Sequence, residues 1–581
     1  MRPPCSSSSG RARTGRSTAS TAFPTRRRAR AWRSTARAAP CSRRARSGRV
    51  RAARSRESSA SAMRPTTPPR TRTPHARSRQ SRSARSTPMR PSASTSPAVC
   101  LRIARPPSTM QRTRSGSCIS RNGHTRRRGA GACSASRKEN GIMSQGTTTS
   151  RARASRREFL KAGALLGAAA AAGSAPGCHA AGSDVIRIGL IGCGKRGTDA
   201  ALNAMNAGPD IRITALAELF QDRMDECIAE LKACKPEQYA VKDEQRFIGF
   251  DAYAQLLATD IDAVLIAPSS HFHPVMLKAA VAAGKHVFCE KPHGIDAPGV
   301  ALSMQAAEEA RARKLSLVSG LCWRYDEGVR ETMRRVRDGA IGEIVAIHET
   351  YVSSPYVVRE REAGWNEMEY QLRNWYHFNW LSGDQTSQQL VHSLDKASWA
   401  LGDVPPRRAW GLGGRQVCTQ PKYGDQYDHH AVVFEYESGA RVFGFCRDMP
   451  DCYNETSDFI IGTKGTCDLL ANRIQGETNW RYEGPKPSMY DMEHKALFDS
   501  IRSGKPVNNG EYMCLSTMLA VVAQMACYSG AAIEWGKAMA SKRSFALPAY
   551  GFDGKPPVAP NADGTYPSAM PGPRERAAWG V

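Results

Sequence analysis

Val185-Ile186-Arg187-Ile188-Gly189-Leu190-Ile191-Gly192-Cys193-Gly194-Lys195-Arg196-Gly197 decides the fold of this chain. Its first seven residues are an almost unbroken apolar run, the pattern of a parallel strand covered on both faces. A full G-x-G-x-x-G follows at once, and residues 198–207 then read as a helix. Strand, glycine turn and helix form the context in which this motif binds a dinucleotide. Without that context it would mean little in a chain with 49 glycines. Gly192 permits the tight turn, Gly194 lets the backbone approach a pyrophosphate, and Gly197 lets helix and strand pack closely. The phosphates are expected on the free N–H groups of the helix N-terminus, beside Lys195 and Arg196.

The second strand, 211–217, ends at Glu218, 21 residues past Gly197, where an acid binds the ribose hydroxyls. A carboxylate there repels a 2′-phosphate, and no Arg stands among the next four residues, so NAD is expected in preference to NADP. The alternation continues with a helical stretch at 250–257, a strand at 263–266, a helix at 274–283, a strand at 286–289, a helix at 297–313 and a strand at 316–319. This predicts an α/β fold with a doubly wound parallel sheet over 184–321. Further on, 344–352, 431–437, 441–446 and 459–461 alternate like strands, while 493–502 and 512–528 read as helices. They give a second α/β domain over 322–547, followed at 548–581 by a Pro- and Gly-containing extension expected to hug the surface.

Upstream of the strand the chain changes character. Of 83 basic and 53 acidic residues, 35 basic and only two acidic ones (Glu57 and Glu139) fall in 1–142. The net charge of +30 therefore belongs to a low-complexity Arg/Ser/Ala/Pro prefix, and the rest of the chain is slightly acidic, which argues against nucleic acid as its partner. The prefix lacks the apolar content to offset its chain entropy. It reads either as a disordered, RNA-binding tail or as sequence upstream of a start at Met143, and the second reading is preferred. In 143–183, Ser155-Arg156-Arg157-Glu158-Phe159-Leu160-Lys161 precedes an apolar run, 162–172, and resembles a twin-arginine export signal. That run is far shorter than the ~20 residues of a membrane span. The expectation is a periplasmic or otherwise extracytoplasmic protein without a transmembrane span. Cys178 is a poor candidate for lipid anchoring because Pro176 disturbs the cleavage box. The eleven cysteines of 184–581 are scattered, and no Cys/His cluster suggests a metal site.

The strand at 286–289 runs into Glu290-Lys291-Pro292. With "AAVAAGKHVFCEKP", "GLIGCGKRG", "RNWYHFNWLSGD", "HSLDKASWALGD", "GLGGRQ" and "GTKGT", about 400 residues resemble the glucose–fructose oxidoreductase/inositol dehydrogenase (Gfo/Idh/MocA) family, in a secreted branch. The resemblance implies a Rossmann domain followed by an α/β domain on an open, largely antiparallel sheet that often forms the oligomer contact, hence a homo-oligomer, dimer or tetramer. It implies NAD as cofactor, with Glu290 beside it and Lys291 next to the nicotinamide and substrate; His273, at a helix start, either lines the nicotinamide or substrate pocket or serves as a cap or packing residue. Lys291 would steady charge on the reacting oxygen. The family's D-x-x-x-H reads here Gln388-Gln389-Leu390-Val391-His392. His392 is then the proton acceptor, on one helical face with Gln388, which orients a hydroxyl but cannot titrate. Arg324, Arg373, Tyr376, Asp384 and Asp395 match polar positions of relatives and are candidates for binding sugar hydroxyls.

Hydride transfer between NAD and a hydroxyl of a sugar, cyclitol or polyol is the leading expectation. Two alternatives stay open. One is a glycosidase that oxidises its substrate transiently with no net redox change, which would suit an exported protein far from free NAD. The other is a non-catalytic sugar- or NAD-binding protein, prompted by Gln388.

Overall fold

The computed structural model describes residues 185–581; the expectations for the basic prefix, the export signal and Cys178 fall outside them. The first half is a six-stranded parallel sheet in the order β3-β2-β1-β4-β5-β6. Its elements are β1 (Ile186–Ile191), α1 (Lys195–Asn206), β2 (Ile211–Glu218), α2 (Gln221–Cys234), β3 (Arg246–Ile248), α3 (Ala252–Leu257), β4 (Ala263–Ile266), α4 (His273–Ala282), β5 (His286–Cys289), α5 (Ala297–Ala312) and β6 (Leu317–Ser319). The strand order reverses between β1 and β4, so the carboxyl ends of β1, β2, β4 and β5 open onto one crevice, where ligands of such sheets bind. β1 and β4 are buried almost throughout, as the apolar runs require. The sequence reading had passed over α2 and β3: the apolar residues of α2 are sparse and spaced among charges, and β3 is only three residues long.

After α6 (Glu327–Arg337) the chain builds a nine-stranded sheet in the order β14-β13-β12-β11-β7-β10-β9-β8-β15. Its strands are β7 (Ile344–Ser353), β8 (Arg408–Gly414), β9 (His429–Glu435), β10 (Arg441–Asp448), β11 (Glu455–Gly462), β12 (Gly465–Asp468), β13 (Arg473–Gly476), β14 (Trp480–Arg481) and β15 (Ile533–Glu534). β7 and β10 run parallel and the other pairings are antiparallel, so the sheet is largely antiparallel, as the family resemblance implied. One face is covered by α8 (Val391–Ala400) and α10 (Gly510–Ser529), with α7 (Glu367–Arg373) and α9 (Met489–Arg502) nearer the parallel sheet. α10 is long and apolar enough to cross a bilayer, but here it is a buried core helix against β8 and α5.

The tail runs along the surface and is anchored there by aromatic side chains. The tail's Tyr566 and Trp579 are almost fully buried, and Tyr550 and Phe552 pack on Phe250, with Phe552 also against Phe220. Prolines and glycines stop this segment from forming long helices, yet its aromatic side chains still fill the core.

Candidate functional site

The glycine turn has the shape its sequence required. Gly192 sits at φ +91°, and a Cβ there would meet the Ala267–Pro268 backbone at 2.6 Å. At Gly197 a Cβ would lie 1.8 Å from the Gly192 carbonyl oxygen. At Gly194, by contrast, a Cβ would find nothing within 4 Å. This glycine faces open space at the start of α1, whose first turn has no side-chain cap. Lys195 is exposed and paired with Asp199 and Glu230, and Arg196 donates to Glu290 at 2.6 Å and lies 3.5 Å from Glu493. Both cations already have carboxylate partners, so the backbone N–H groups of the helix N-terminus are the turn's free anion donors. The buried Glu218 carboxylate accepts from the backbone N–H groups of Cys193 (2.7 Å), Leu219 (2.7 Å) and Phe220 (3.2 Å), which fixes it beside the turn. Arg223, five residues past Glu218, also reaches this end of the cleft, where it donates to the Arg373 carbonyl.

These residues line a cleft of about 560 Å³ that continues past Pro268 and His273 to Glu290, Lys291, Gln388 and His392. Lys291 Nζ donates to the backbone carbonyl of Gln388 at 2.6 Å, which ties the end of β5 to the second half of the chain. Burial pulls the Lys291 ammonium below its ordinary pKa, partly opposed by Glu290. His392 has a buried Nδ1 without a hydrogen-bond partner, and burial, reinforced by Lys291, Lys396 and Arg196, holds its pKa well below the usual imidazole range. A neutral imidazole and an ammonium with two unspent donors therefore line one cleft.

The predicted simple helix across 388–392 is replaced by a π-helical segment, Thr386–Leu390, that leads into α8. One extra residue per turn accommodates the buried polar run: Gln388 turns its amide to Ser270 Oγ (2.9 Å) and the Ser382 carbonyl, while its own backbone carbonyl faces Lys291. His273 is the first residue of α4, as expected. Both its ring nitrogens face backbone carbonyls, Pro292 at 2.7 Å and Pro268 at 3.0 Å, so it braces two cleft loops against each other.

Four of the proposed sugar-binding residues do not line the cleft. Arg324 is buried in ion pairs with Asp395 (2.8 Å) and Asp403 (2.6 Å), over the rings of Tyr512 and Trp399. Asp395 spends its carboxylate on Arg324 and Ser516. Arg373 pairs with Asp222 and Glu369 above Phe220. Asp384 is likewise buried, accepting from Tyr528 and facing His430. Burial forces such groups to find partners, and here those partners are structural. Tyr376 does line the cleft, together with Tyr351, Tyr356, Trp375 and Tyr490, which the sequence reading had not singled out. For Trp375 the aromatic run "RNWYHF" was the available signal; Tyr351, Tyr356 and Tyr490 lie elsewhere in the chain and carried none.

The glycine cradle fits a dinucleotide: Gly194 leaves its approach open, the α1 N–H groups are uncapped, and Glu218 is fixed beside the turn. Residues 186–318 match the model of an oxidoreductase family with an NAD-binding Rossmann fold. The chain is 25% identical over 338 residues to inositol 2-dehydrogenase of Burkholderia cenocepacia (strain HI2424), covering 55% of this chain and 87% of that one. It is 28% identical over 339 residues to inositol 2-dehydrogenase 3 of Saccharopolyspora erythraea, covering 55% and 86%. Among solved structures, the aldose-aldose oxidoreductase from Caulobacter crescentus superposes with a TM-score of 0.49 at 17% identity, over 60% of this chain and 99% of that one. Fold and site define an NAD-dependent oxidoreductase. Within that class, residues 186–318 match the Gfo/Idh/MocA family model, and the relatives found are inositol 2-dehydrogenases.

Proposed function

We propose that the protein transfers hydride at a hydroxyl carbon of a sugar or cyclitol. The observation that carries this reading is the meeting of Lys291 and His392 in the cleft that the glycine turn opens. NAD, when bound, supplies the hydride acceptor. Lys291 holds the reacting oxygen with donors not used on Gln388 and stabilises its developing charge. His392, kept neutral by its surroundings, takes the hydroxyl proton. Gln388, fixed by Ser270, orients Lys291 through its carbonyl, so the missing carboxylate of D-x-x-x-H is replaced by a positioning contact. The inositol dehydrogenases among the relatives make a cyclitol the first substrate to test. Purified protein should reduce NAD with myo-inositol or D-glucose, and no reduction by either would refute the reading.

A specific contact favours a second reading, redox-neutral glycoside cleavage. Tail residues Tyr550 and Phe552 pack across Phe220, Phe250 and Phe272, next to Glu218, and so strap the adenosine end of the cleft. A strapped cofactor suits oxidation and re-reduction within one turnover. Release of an aryl aglycone without NADH accumulation would establish it.

Two further parts of the reading concern placement and assembly. The S-R-R-x-F-L-K segment motivates export by the twin-arginine route, testable by fractionating cells that carry Arg156→Lys/Arg157→Lys. The uncovered face of the second sheet carries Trp410, Leu412, Phe443, Phe445 and Phe459 in adjoining registers, and Leu412 is 61% exposed. We assign this face to pairing with a second copy of the chain, since apolar patches of this kind mark interfaces.

A further inference from the structure

The polar chemistry of the cleft extends beyond Lys291 and His392. β7 brings Tyr351 to it, the following loop brings Tyr356, and the turn Trp375–His377 brings Tyr376. Tyr376 is buried, and a buried hydroxyl needs an acceptor for its proton. It finds one in Tyr356: Tyr376 Oη donates to Tyr356 Oη at 2.8 Å, with the rings 5.1 Å apart. The Tyr351 hydroxyl is also bonded to Tyr356. Tyr356 is further bonded to Gln389, and its half-exposed side chain lines the cleft. The backbone holds this arrangement at a cost, since Val357, the next residue, lies at φ +59°, a conformation that a β-branched side chain rarely accepts. Burial raises the pKa of all three phenols, so at neutral pH they act as donors rather than bases.

We propose that Tyr356 is a specificity-determining donor of the substrate site, bonding an oxygen other than the one Lys291 holds. The ligand it selects is a ring bearing several oxygens, not a simple alcohol. This inference rests on the hydride-transfer reading above.

The test is steady-state kinetics of the full chain with myo-inositol and D-glucose and with their monodeoxy analogues, for wild type and Tyr356→Phe. Loss of one neutral hydrogen bond predicts a KM about tenfold higher, with kcat changed less than about threefold. One deoxy analogue should cost the wild type a similar factor, and Tyr356→Phe should add no further loss on that analogue. NAD affinity of the variant should stay at the wild-type value, while its melting temperature falls because the buried Tyr376 hydroxyl loses its acceptor. An unchanged KM, or an equal penalty on every analogue, overturns the assignment while leaving the hydride-transfer reading intact. A wild type indifferent to every deoxygenation overturns it without any variant. Failure of the wild type on both parent compounds removes the underlying reading and the inference with it.

Discussion

Gly194→Ala and Gly197→Ala, three residues apart in one turn, should fail in different ways. At Gly197 the new methyl would begin 1.8 Å from the Gly192 carbonyl oxygen, whereas real Cβ contacts do not fall below 3.0 Å. The turn and α1 must part by more than 1 Å, and the obstacle is backbone, which cannot rotate away. Overpacking of this kind costs roughly 1–3 kcal/mol or more, against a helix-propensity gain of about 1 kcal/mol for replacing a helical glycine. A net loss of about 2 kcal/mol is expected, with weaker NAD binding because the displaced carbonyl belongs to the cradle. Gly194 has φ −67° and ψ 177°, which alanine adopts freely, and its Cβ meets no protein atom within 4 Å. Stability should therefore hold or rise by roughly 0.4–1 kcal/mol as the unfolded chain loses freedom. The methyl, however, enters the space through which a pyrophosphate approaches, so NAD affinity should fall at least about tenfold. Urea unfolding of cofactor-free protein and calorimetric titration with NAD measure the two quantities separately. Normal NAD affinity in Gly194→Ala, or normal stability in Gly197→Ala, would refute the cradle geometry.

Three other expectations follow from the same contacts. Lys291→Met should lower kcat/KM by roughly 10² to 10⁴ while NAD stays bound, because the cradle is untouched; turnover close to wild type would remove Lys291 from the chemistry. The pH profile of hydroxyl oxidation should sit low as a whole. His392 must be neutral to accept a proton and its pKa is pushed down by burial and nearby cations, so the acid limb lies well below pH 6.5. Lys291 must be charged and its pKa is also lowered, so activity falls on the alkaline side before the ordinary lysine range; an acid limb at 6.5 or higher would contradict the buried imidazole. Finally, Leu412→Glu with Phe445→Glu should convert an oligomer to a monomer in sedimentation velocity without loss of helix or strand content, and an unchanged mass would free the sheet face from that role.

Short-range requirements were legible in the sequence because they are written in consecutive residues. A buried parallel strand needs an apolar run, a tight turn against a helix needs glycine where a Cβ would collide, and β1, the turn, α1 and the end of β2 at Glu218 lie where those rules put them. E-K-P at the end of β5 and His392 were readable for the same reason, since a motif carries its local context with it. The fate of a polar side chain is different, because it depends on what other segments bring within a few ångströms. Arg324, Asp395 and Arg373 have the chemistry of sugar ligands, yet burial paired them with Asp403, Ser516, Asp222 and Glu369, up to about 150 positions away, and they became struts. The π-helical turn before His392, the tail aromatics laid over Phe220 and the delivery of Tyr356 to the cleft were likewise settled only in three dimensions. Backbone conformation is governed mainly by neighbours in the chain, whereas partners for buried charge and hydrogen-bonding groups are chosen by the packing of the whole molecule.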